Sequence, residues 1–433
     1  MSDRTTQTES QFRVTIARTG YSVLLGLLVL LILPWSLFRS ILGGPEVRQR
    51  WLARIGIERA RNQYGGLLIH CVSVGEVMAA APLIRKILAE QPHLPITVTT
   101  TTLTGRQRAR ELFAGQVCQR YLPIDLPWLM SRLLHQIKPS KVLVVEVELW
   151  PNLLHLCRRQ SIPVIIVNAR MTDRSARRYA RFGSLFVSML QRLHLVCAQG
   201  QRDYENYLNL GVPRQRLVLT GNMKFDLAVQ DKMVLKAQLV EKFALQQRRV
   251  LLGGSTHDGE EKILIQVYQI LKKQFPELIL ILVPRHPQRF EPVWNLCTAV
   301  SQACIRVSEE KRCDAATDIL LIDRMGMLQQ CYALADIAFV GGSLADRGGH
   351  NALEASALAV PVLMGPSQFN NPEICQTLQQ AGALITVHDQ QDLLIQCQQW
   401  LAHTERAEQA GQAGKAVLEE NRGAVLRTYA LLQ

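Results

Sequence analysis

Residues 336–366 constrain the fold of this chain more than any other stretch. They run Asp336-Ile-Ala-Phe-Val-Gly-Gly-Ser-Leu-Ala-Asp-Arg-Gly-Gly-His-Asn-Ala-Leu-Glu354 and on to Met364-Gly365-Pro366. The pattern reads as a buried strand (Ile337 to Val340), a glycine-rich loop (Gly341 to Gly349), a helix (His350 to Leu358) and a second strand (Val360 to Met364). Strand, crossover and strand in so few residues require a parallel sheet. Glycines let backbone approach a ligand closely, and a helix start offers N–H groups to an anion. Asn351 and Glu354, three apart, share the helix face that meets the loop. A carboxylate there repels phosphate but accepts two hydrogen bonds from a ribose diol. The stretch therefore suits a nucleotide with its sugar on Glu354; a tight turn with a structural Asn–Glu pair is the plainer reading. Neither Gly-x-Gly-x-x-Gly nor a Walker lysine loop is present, which argues against dinucleotide and P-loop sites.

The same alternation recurs along the chain. Strands are expected at Leu67–Val72, Ile96–Thr101, Val117–Leu122, Val142–Val147, Val164–Val167 and Leu193–Cys197, with helices starting near Val77, Thr104, Pro127, Pro151 and Arg174. A second series starts at Arg249 and continues at Leu278–Val283, Ile319–Ile322, Ile337–Val340, Val360–Met364 and Ala383–Thr386. Gly221–Glu241 reads as hinge and linker, and 403–432 as helix that closes the second domain or reaches back to the first. The expected fold is α/β, two doubly wound Rossmann-like domains facing a cleft, with an N-terminal membrane anchor. The expected bounds are 1–44 for the tail and anchor, 45–225 for the first domain and 226–433 for the second.

Residues 19–38 carry no charge and match the roughly 20 residues a bilayer core requires. Tyr21 and Trp35 stand near the ends, and the denser positive charge (Arg39, Arg48, Arg50, Arg54) follows the segment. That favours a single-pass anchor with the large domains on the cytoplasmic side of the membrane. A cleaved signal peptide lacks its small-residue site here; a monotopic helix broken at Pro34 is a further alternative. Pro45–Tyr64 reads as a basic helical neck. The net charge of +13 suits a polyanion or an anionic membrane face, and no aromatic-basic module points to nucleic acid. Ten cysteines without a Cys-x-x-Cys pair fit free thiols in a reducing compartment.

Several strand ends carry candidate chemistry. Ser73-Val-Gly-Glu76 follows the first strand; Glu76, kept ionised by a helix start, is either a proton acceptor or a capping residue. Glu146-Val-Glu148-Leu-Trp-Pro-Asn152 follows another, and strand alternation puts Glu146 and Glu148 on one side. Lys224, in Gly221-Asn-Met-Lys-Phe-Asp226, can neutralise a phosphate or carboxylate; surface solvation is its default. Gly253-Gly-Ser-Thr-His257, with Gly254 and Ser255, forms an anion pocket before a helix at Gly259. Arg285 in Val283-Pro-Arg-His-Pro287 can pair two phosphate oxygens, and His286 is a contact or a structural loop histidine. Met325-Gly326-Met327 opens a helix that can present backbone to a base. Arg170, Arg174, Arg177, Arg178 and Arg181, with Tyr179 and Phe182, either dock an acidic headgroup or form a solvated face.

Together these motifs resemble the 3-deoxy-D-manno-octulosonic acid (Kdo) transferases of lipopolysaccharide assembly. The resemblance covers nearly the whole chain and rests on Ser73–Glu76, Glu146–Asn152, Asn222–Asp226, Pro284–Pro287 and Gly348–Glu354 in that order. It implies the GT-B glycosyltransferase fold, CMP-Kdo as donor and the tetraacylated lipid A precursor as acceptor, with inversion at the sugar. It also implies Glu76 as general base, Glu146 and Lys224 as transition-state stabilisers, and Pro284, Arg285, Met325, Gly326, Met327, Asn351, Ala352, Leu353 and Glu354 as CMP contacts. Gly254, Ser255, His286 and Gly349 are further donor candidates, and Arg174, Arg177 and Arg178 acceptor candidates. The family often has Met-Gly-Glu where this chain has Met325-Gly-Met327, and a hydroxyl where Val147 stands. No Asp-x-Asp occurs, so neither a metal nor a cofactor is expected. An epimerase-like enzyme of the same fold and a non-catalytic nucleotide-binding scaffold are the alternatives.

Overall fold

The structure, a computed structural model, describes residues 2–42, 44–58, 65–181, 183–227 and 230–433. Two compact units result: Met1–Asp226 together with Arg422–Gln433, and Leu227–Asn421.

The first unit holds a seven-stranded parallel sheet in the order β3-β2-β1-β4-β5-β6-β7. Its strands are β1 Leu67–His70, β2 Ile96–Thr100, β3 Cys118–Tyr121, β4 Lys141–Val145, β5 Val164–Ala169, β6 Leu195–Ala198 and β7 Leu217–Leu219. Val142 and Val144 of β4 enter one apolar cluster, while Leu143 and Val145 enter the other. A strand buried on both faces needs helices on both faces, and that is why this one reads as an unbroken apolar run. Each such side chain contributes roughly 1.5–3 kcal/mol of burial.

The second sheet runs β10-β11-β9-β8-β12-β13-β14. Its strands are β8 Arg249–Thr256, β9 Leu278–Pro284, β10 Cys304–Arg306, β11 Ile319–Leu321, β12 Ile337–Val340, β13 Val362–Met364 and β14 Leu384–Thr386. Both units are doubly wound, as their alternation demands, and the fold is of the α/β GT-B type. The three-residue strands β7 and β10, each at a sheet edge, are too short to leave a periodic signal.

Several expectations are corrected. The helix expected at His350–Leu358 is a single turn, Leu353–Ser356, because Gly348 and Gly349 adopt positive φ and His350 N–H donates to Gly341 O instead. The small residues Gly253–Thr256, expected to follow a strand and line an anion pocket, belong to β8 itself, which shifts register between Gly254 and Thr256; Ser255 there has φ +54°. Within the supposed linker lies a helix, Lys232–Phe243, that buries Leu235, Leu239 and Phe243. Glu146 and Glu148 follow the end of β4, and Glu146 has φ +62°, so strand alternation no longer relates them.

The last helix, Ala424–Ala430, does not close the second unit. Asp226 carboxylate oxygens accept from Gly423 N at 2.7 Å and Val425 N at 2.6 Å, and Arg427 Nε donates to Thr220 O at 2.7 Å. Ala424, Val425 and Leu432 then join the apolar cluster of the first unit.

At the other end, helical backbone runs unbroken from Ser2 to Leu42, through position 34, and is followed by the helix Gly44–Arg54. Within it Val14–Ile32 is long and apolar enough to cross a membrane. The neck continues to Glu58, which pairs with Arg106 and Arg120 at 3.1 and 3.5 Å; residues 59–64 of the expected neck lie outside the described residues.

Candidate active site

β1 and β4 are neighbours at the point where the first sheet reverses its order, and ligands of such sheets gather beyond the carboxyl ends there. Glu76 and Glu146 both emerge at that point. Glu76 lies in the first turn of the helix Val74–Glu90. Its Oε2 accepts from Val72 N at 2.8 Å and its Oε1 from Ser73 Oγ at 3.4 Å. It thus ties down the strand-to-helix turn as a capping residue does, yet stays half-buried rather than sealed. Burial pushes its carboxyl up to about 8, Glu146 and Glu148 adding to the shift and the Val72 and Ser73 hydrogen bonds opposing it. Desolvation outweighs the helix start, so the expected ionised carboxylate is instead one that holds a proton near neutrality.

Glu146 Oε1 stands 3.2 Å from Lys224 Nζ, with side chains 17% and 18% exposed. The left-handed backbone at Glu146 is uncommon for a side-chain-bearing residue, and such strain clusters at functional sites. Glu146 N–H donates to Val167 O at 3.1 Å, which holds it there. Lys224 is placed by two asparagines. Asn222 Oδ1 accepts from Lys224 N at 3.0 Å, and Asn168 Oδ1, at the end of β5, accepts from Met223 N at 2.9 Å.

Around this pair stand Glu148 and two residues that sequence reasoning missed, His70 and Asp125. His70, the last residue of β1, is fully buried; Trp150 Nε1–H points to its Nε2 at 3.4 Å and its Nδ1 lies 3.0 Å from Thr99 Oγ1. That pattern assigns the ring proton to Nδ1. Glu148 Oε2 is 3.9 Å from His70 Nε2, buried and without a hydrogen-bond partner among the described residues. Asp125 caps the helix Pro151–Arg159 by accepting from Asn152 N and Leu153 N at 2.9 and 3.0 Å. A polar residue ending an apolar strand, as at His70 and Asn168, was the available signal.

Arg174, Arg177 and Arg178 are all exposed on the helix Asp173–Ala180, and with Arg181 they form one stripe at helical spacing. Arg178 lies 5.3 Å from the Tyr179 ring, which stacks on Phe186 at 4.1 Å; Phe182 lies outside the described residues.

In the second unit the reversal falls between β8 and β12. Glu260, unremarked in the sequence, is buried there beneath the glycine-rich loop. Its carboxylate accepts from Gly342, Ser343, Leu344 and Ala345 N at 2.8, 3.0, 2.9 and 3.2 Å, and from His257 N at 2.9 Å. The loop amides expected to greet an anion are therefore already taken, by the protein's own carboxylate. Gly254 makes room for Tyr332 and Leu328, and Gly349 for Met364, so both glycines serve packing.

Other candidates do converge. His257 Nε2 and His350 Nε2 are 2.9 Å apart in stacked rings, with His286 edge-on to His257 at 5.5 Å. Burial, then Arg285, His257 and His286, holds the His350 imidazole down at about 3. Arg285, at the end of β9, donates its N–H to Thr256 O at 3.0 Å. Asn351 Oδ1 accepts from Leu353 N at 3.2 Å, so Asn351 starts the short helix rather than sharing its face with Glu354. Met325 is 53% exposed and Met327 9% exposed in the turn after β11, with Gly326 at φ +86° between them. Among the described residues no group of three His, Cys, Asp or Glu is placed to hold a metal ion.

The first unit thus sets a carboxyl that holds its proton near neutrality beside a carboxylate–ammonium pair, and the second brings the imidazoles of His257, His286 and His350 together near Arg285. The family model described as 3-deoxy-D-manno-octulosonic-acid transferase (kdotransferase) matches residues 49–227, and that of the glycosyl transferases group 1 matches 253–417. A 3-deoxy-D-manno-octulosonic acid transferase from Haemophilus influenzae is 39% identical over 398 residues, 90% of this chain and 92% of that protein. One from Bordetella pertussis is 34% identical over 84% of this chain and 86% of its own length. The solved UDP-GlcNAc 2-epimerase of Neisseria meningitidis superposes with a TM-score of 0.58 over 85% of this chain and all of its own, at 17% identity, which speaks for the fold alone. By sequence over nine-tenths of its length, this chain belongs to the Kdo transferase family of glycosyltransferases.

Proposed function

We propose that the protein transfers Kdo from CMP-Kdo to the tetraacyldisaccharide precursor of lipid A, with inversion and without a bridging metal, on the cytoplasmic side of the inner membrane. Glu76 takes the proton of the acceptor hydroxyl as its oxygen attacks the anomeric carbon of Kdo. The bond from that carbon to the phosphate oxygen breaks, and CMP leaves. Glu146 and Lys224 stabilise the charge that develops, carboxylate toward the oxocarbenium-like ring and ammonium toward the departing phosphate. Pro284, Arg285, Met325 to Met327 and Asn351 to Glu354 hold the cytidylate, His286 assists, and Arg174, Arg177 and Arg178 meet the acceptor's phosphates.

The observation that carries this reading is the Glu76 carboxylate, tuned to about 8 beside the Glu146–Lys224 pair. A general base works best with a pKa near the working pH, and such a base contributes about 10²–10⁴ in rate. The epimerase alternative shares the fold but not the family sequence. Incubation with CMP-Kdo or UDP-sugars and the lipid precursor, read by mass spectrometry of the lipid, tests the reading. Kdo addition from CMP-Kdo alone is expected, with Glu76→Gln losing at least about 10²-fold in turnover while CMP binding persists. A Glu76→Gln protein that turns over normally would sink the proposed mechanism.

A further inference from the structure

The N-terminal helix is not a free rod. Arg18 Nη1 donates to Asn152 Oδ1 at 3.3 Å, and Asn152 Nδ2 donates to Ser22 Oγ at 3.0 Å. Tyr21 faces the Asp125 carboxylate. Asn152 and Asp125 are buried parts of the first unit, at the carboxyl end of its sheet. The other end of the helix is tied as well. After Leu42 only the helix Gly44–Arg54 intervenes before Arg54 O accepts from Ile124 N at 2.9 Å.

These ties conflict with a crossing. The folded unit follows the helix, so in a spanning arrangement the carboxyl end of the apolar window Val14–Ile32 lies at the face that carries it. Arg18 precedes Ile32 by 14 residues, which is about 21 Å of α-helix. It would then sit deep in a hydrocarbon core about 30 Å thick, out of reach of Asn152.

Exposure along the helix agrees with two-sided contact. Val14 is buried and Arg18, Ser22, Leu25 and Val29 are half-buried, a stripe at helical spacing toward the unit. Leu24, Leu28, Leu31, Trp35 and Phe38 form the opposite stripe, with Leu31 78% exposed and Trp35 60%. A cationic cluster borders the clamp. Arg158 and Arg159 lie on the helix Pro151–Arg159 that carries Asn152, Arg192 is close by, and none has a carboxylate within salt-bridge distance among the described residues. Together with Arg18 they hold the half-buried His155 imidazole down at about 4, burial being the larger cause.

We propose that the N-terminal helix lies in the plane of one leaflet, clamped on one side to the first unit and buried in lipid on the other, and does not cross the bilayer. An amphipathic arrangement of this kind sets the apolar stripe at the acyl boundary and the arginines at the level of anionic headgroups. The inference rests on the membrane-attached reading above and refines it: the amino terminus stays on the side of the catalytic units.

Inside-out membrane vesicles containing the full chain decide it. Ser2→Cys and, in a separate chain, Gln116→Cys at the opposite edge of the sheet are treated with a membrane-impermeant maleimide; the native cysteines, all buried or half-buried, are controlled by the unsubstituted chain. Equal labelling of both positions without detergent, a ratio near one, is the expected result. Labelling of Ser2→Cys only after detergent, with Gln116→Cys already labelled, overturns the in-plane helix and leaves the transferase reading intact. A chain that washes off the membrane fraction overturns membrane attachment itself, and the in-plane helix with it.

Discussion

Lys224 Nζ stands 3.2 Å from Oε1 of Glu146, and Glu146 in turn helps raise the carboxyl of Glu76. One mostly buried ion pair is therefore electrostatically linked to the residue proposed to move the proton. Desolvation sets most of the shift, and the neighbouring negative charge adds to it.

That link has a pH signature. Activity should rise as pH climbs through about 8, where Glu76 loses its proton. Glu146→Gln removes one negative neighbour, so Glu76 ionises more easily and the acid limb of the kcat/KM profile moves to lower pH, even as the maximal rate falls by about 10²-fold or more. Profiles of the two proteins side by side check this; an unmoved limb separates the two carboxylates.

Glu76 also carries a stability signature of defined sign. Its folded carboxyl lies above the ordinary 4.5, so the folded state binds the proton more tightly than the unfolded chain does. Stability contributed by the neutral form is present below about 4.5 and is lost as pH rises through about 8. Glu76→Gln should therefore gain thermal stability relative to wild type more at pH 8.5 than at pH 5, by roughly a few degrees. Melting curves at the two pH values provide the comparison.

Glu260 organises the glycine-rich loop from below. Glu260→Ala leaves the amides of Gly342 to Ala345 without their acceptor in a buried site. Each unsatisfied group costs about 1–3 kcal/mol, so the second unit should unfold early and CMP affinity should fall with it. Glu260→Gln keeps one acceptor oxygen and should lose less. Denaturation of the full chain with and without CMP measures both effects.

Asp226 latches the final helix. Asp226→Ala frees the amides of Gly423 and Val425. Hydrogen exchange over 422–433 should accelerate by about 10-fold or more, equivalent to on the order of 1–3 kcal/mol per buried bond, while β4 and β5 keep their protection. Unchanged exchange in the last helix would show that Ala424, Val425 and Leu432 hold it by packing alone.

Strand-and-helix alternation was legible because a parallel strand buried on both faces, such as Val142 to Val145, leaves a short unbroken apolar run between turn residues. The motif residues were legible because chemistry in such sheets follows strand ends, and Glu76, Glu146 and Arg285 all lie just beyond one. What the loops do with their backbone was not legible. Glu260 looks like any acidic residue at a helix start, and nothing local says that its carboxylate fills the nest which the glycines of 341–349 seemed to offer. Glu146 and Glu148 seemed to share a face until the backbone of Glu146 turned left-handed.

Local order thus settled the two doubly wound units, the apolar N-terminal helix and the acidic and basic residues that strand ends carry. Periodicity and composition act over a turn or a strand, and a single chain displays them directly. Tertiary structure alone decided that Asn168 and Asn222 set Lys224 against Glu146, that burial lifts Glu76, that Asp226 recovers the last helix for the first unit, and that Arg18 meets Asn152. Desolvation and hydrogen bonding between residues up to about two hundred positions apart depend on which surfaces meet, and only the packed fold brings those surfaces together.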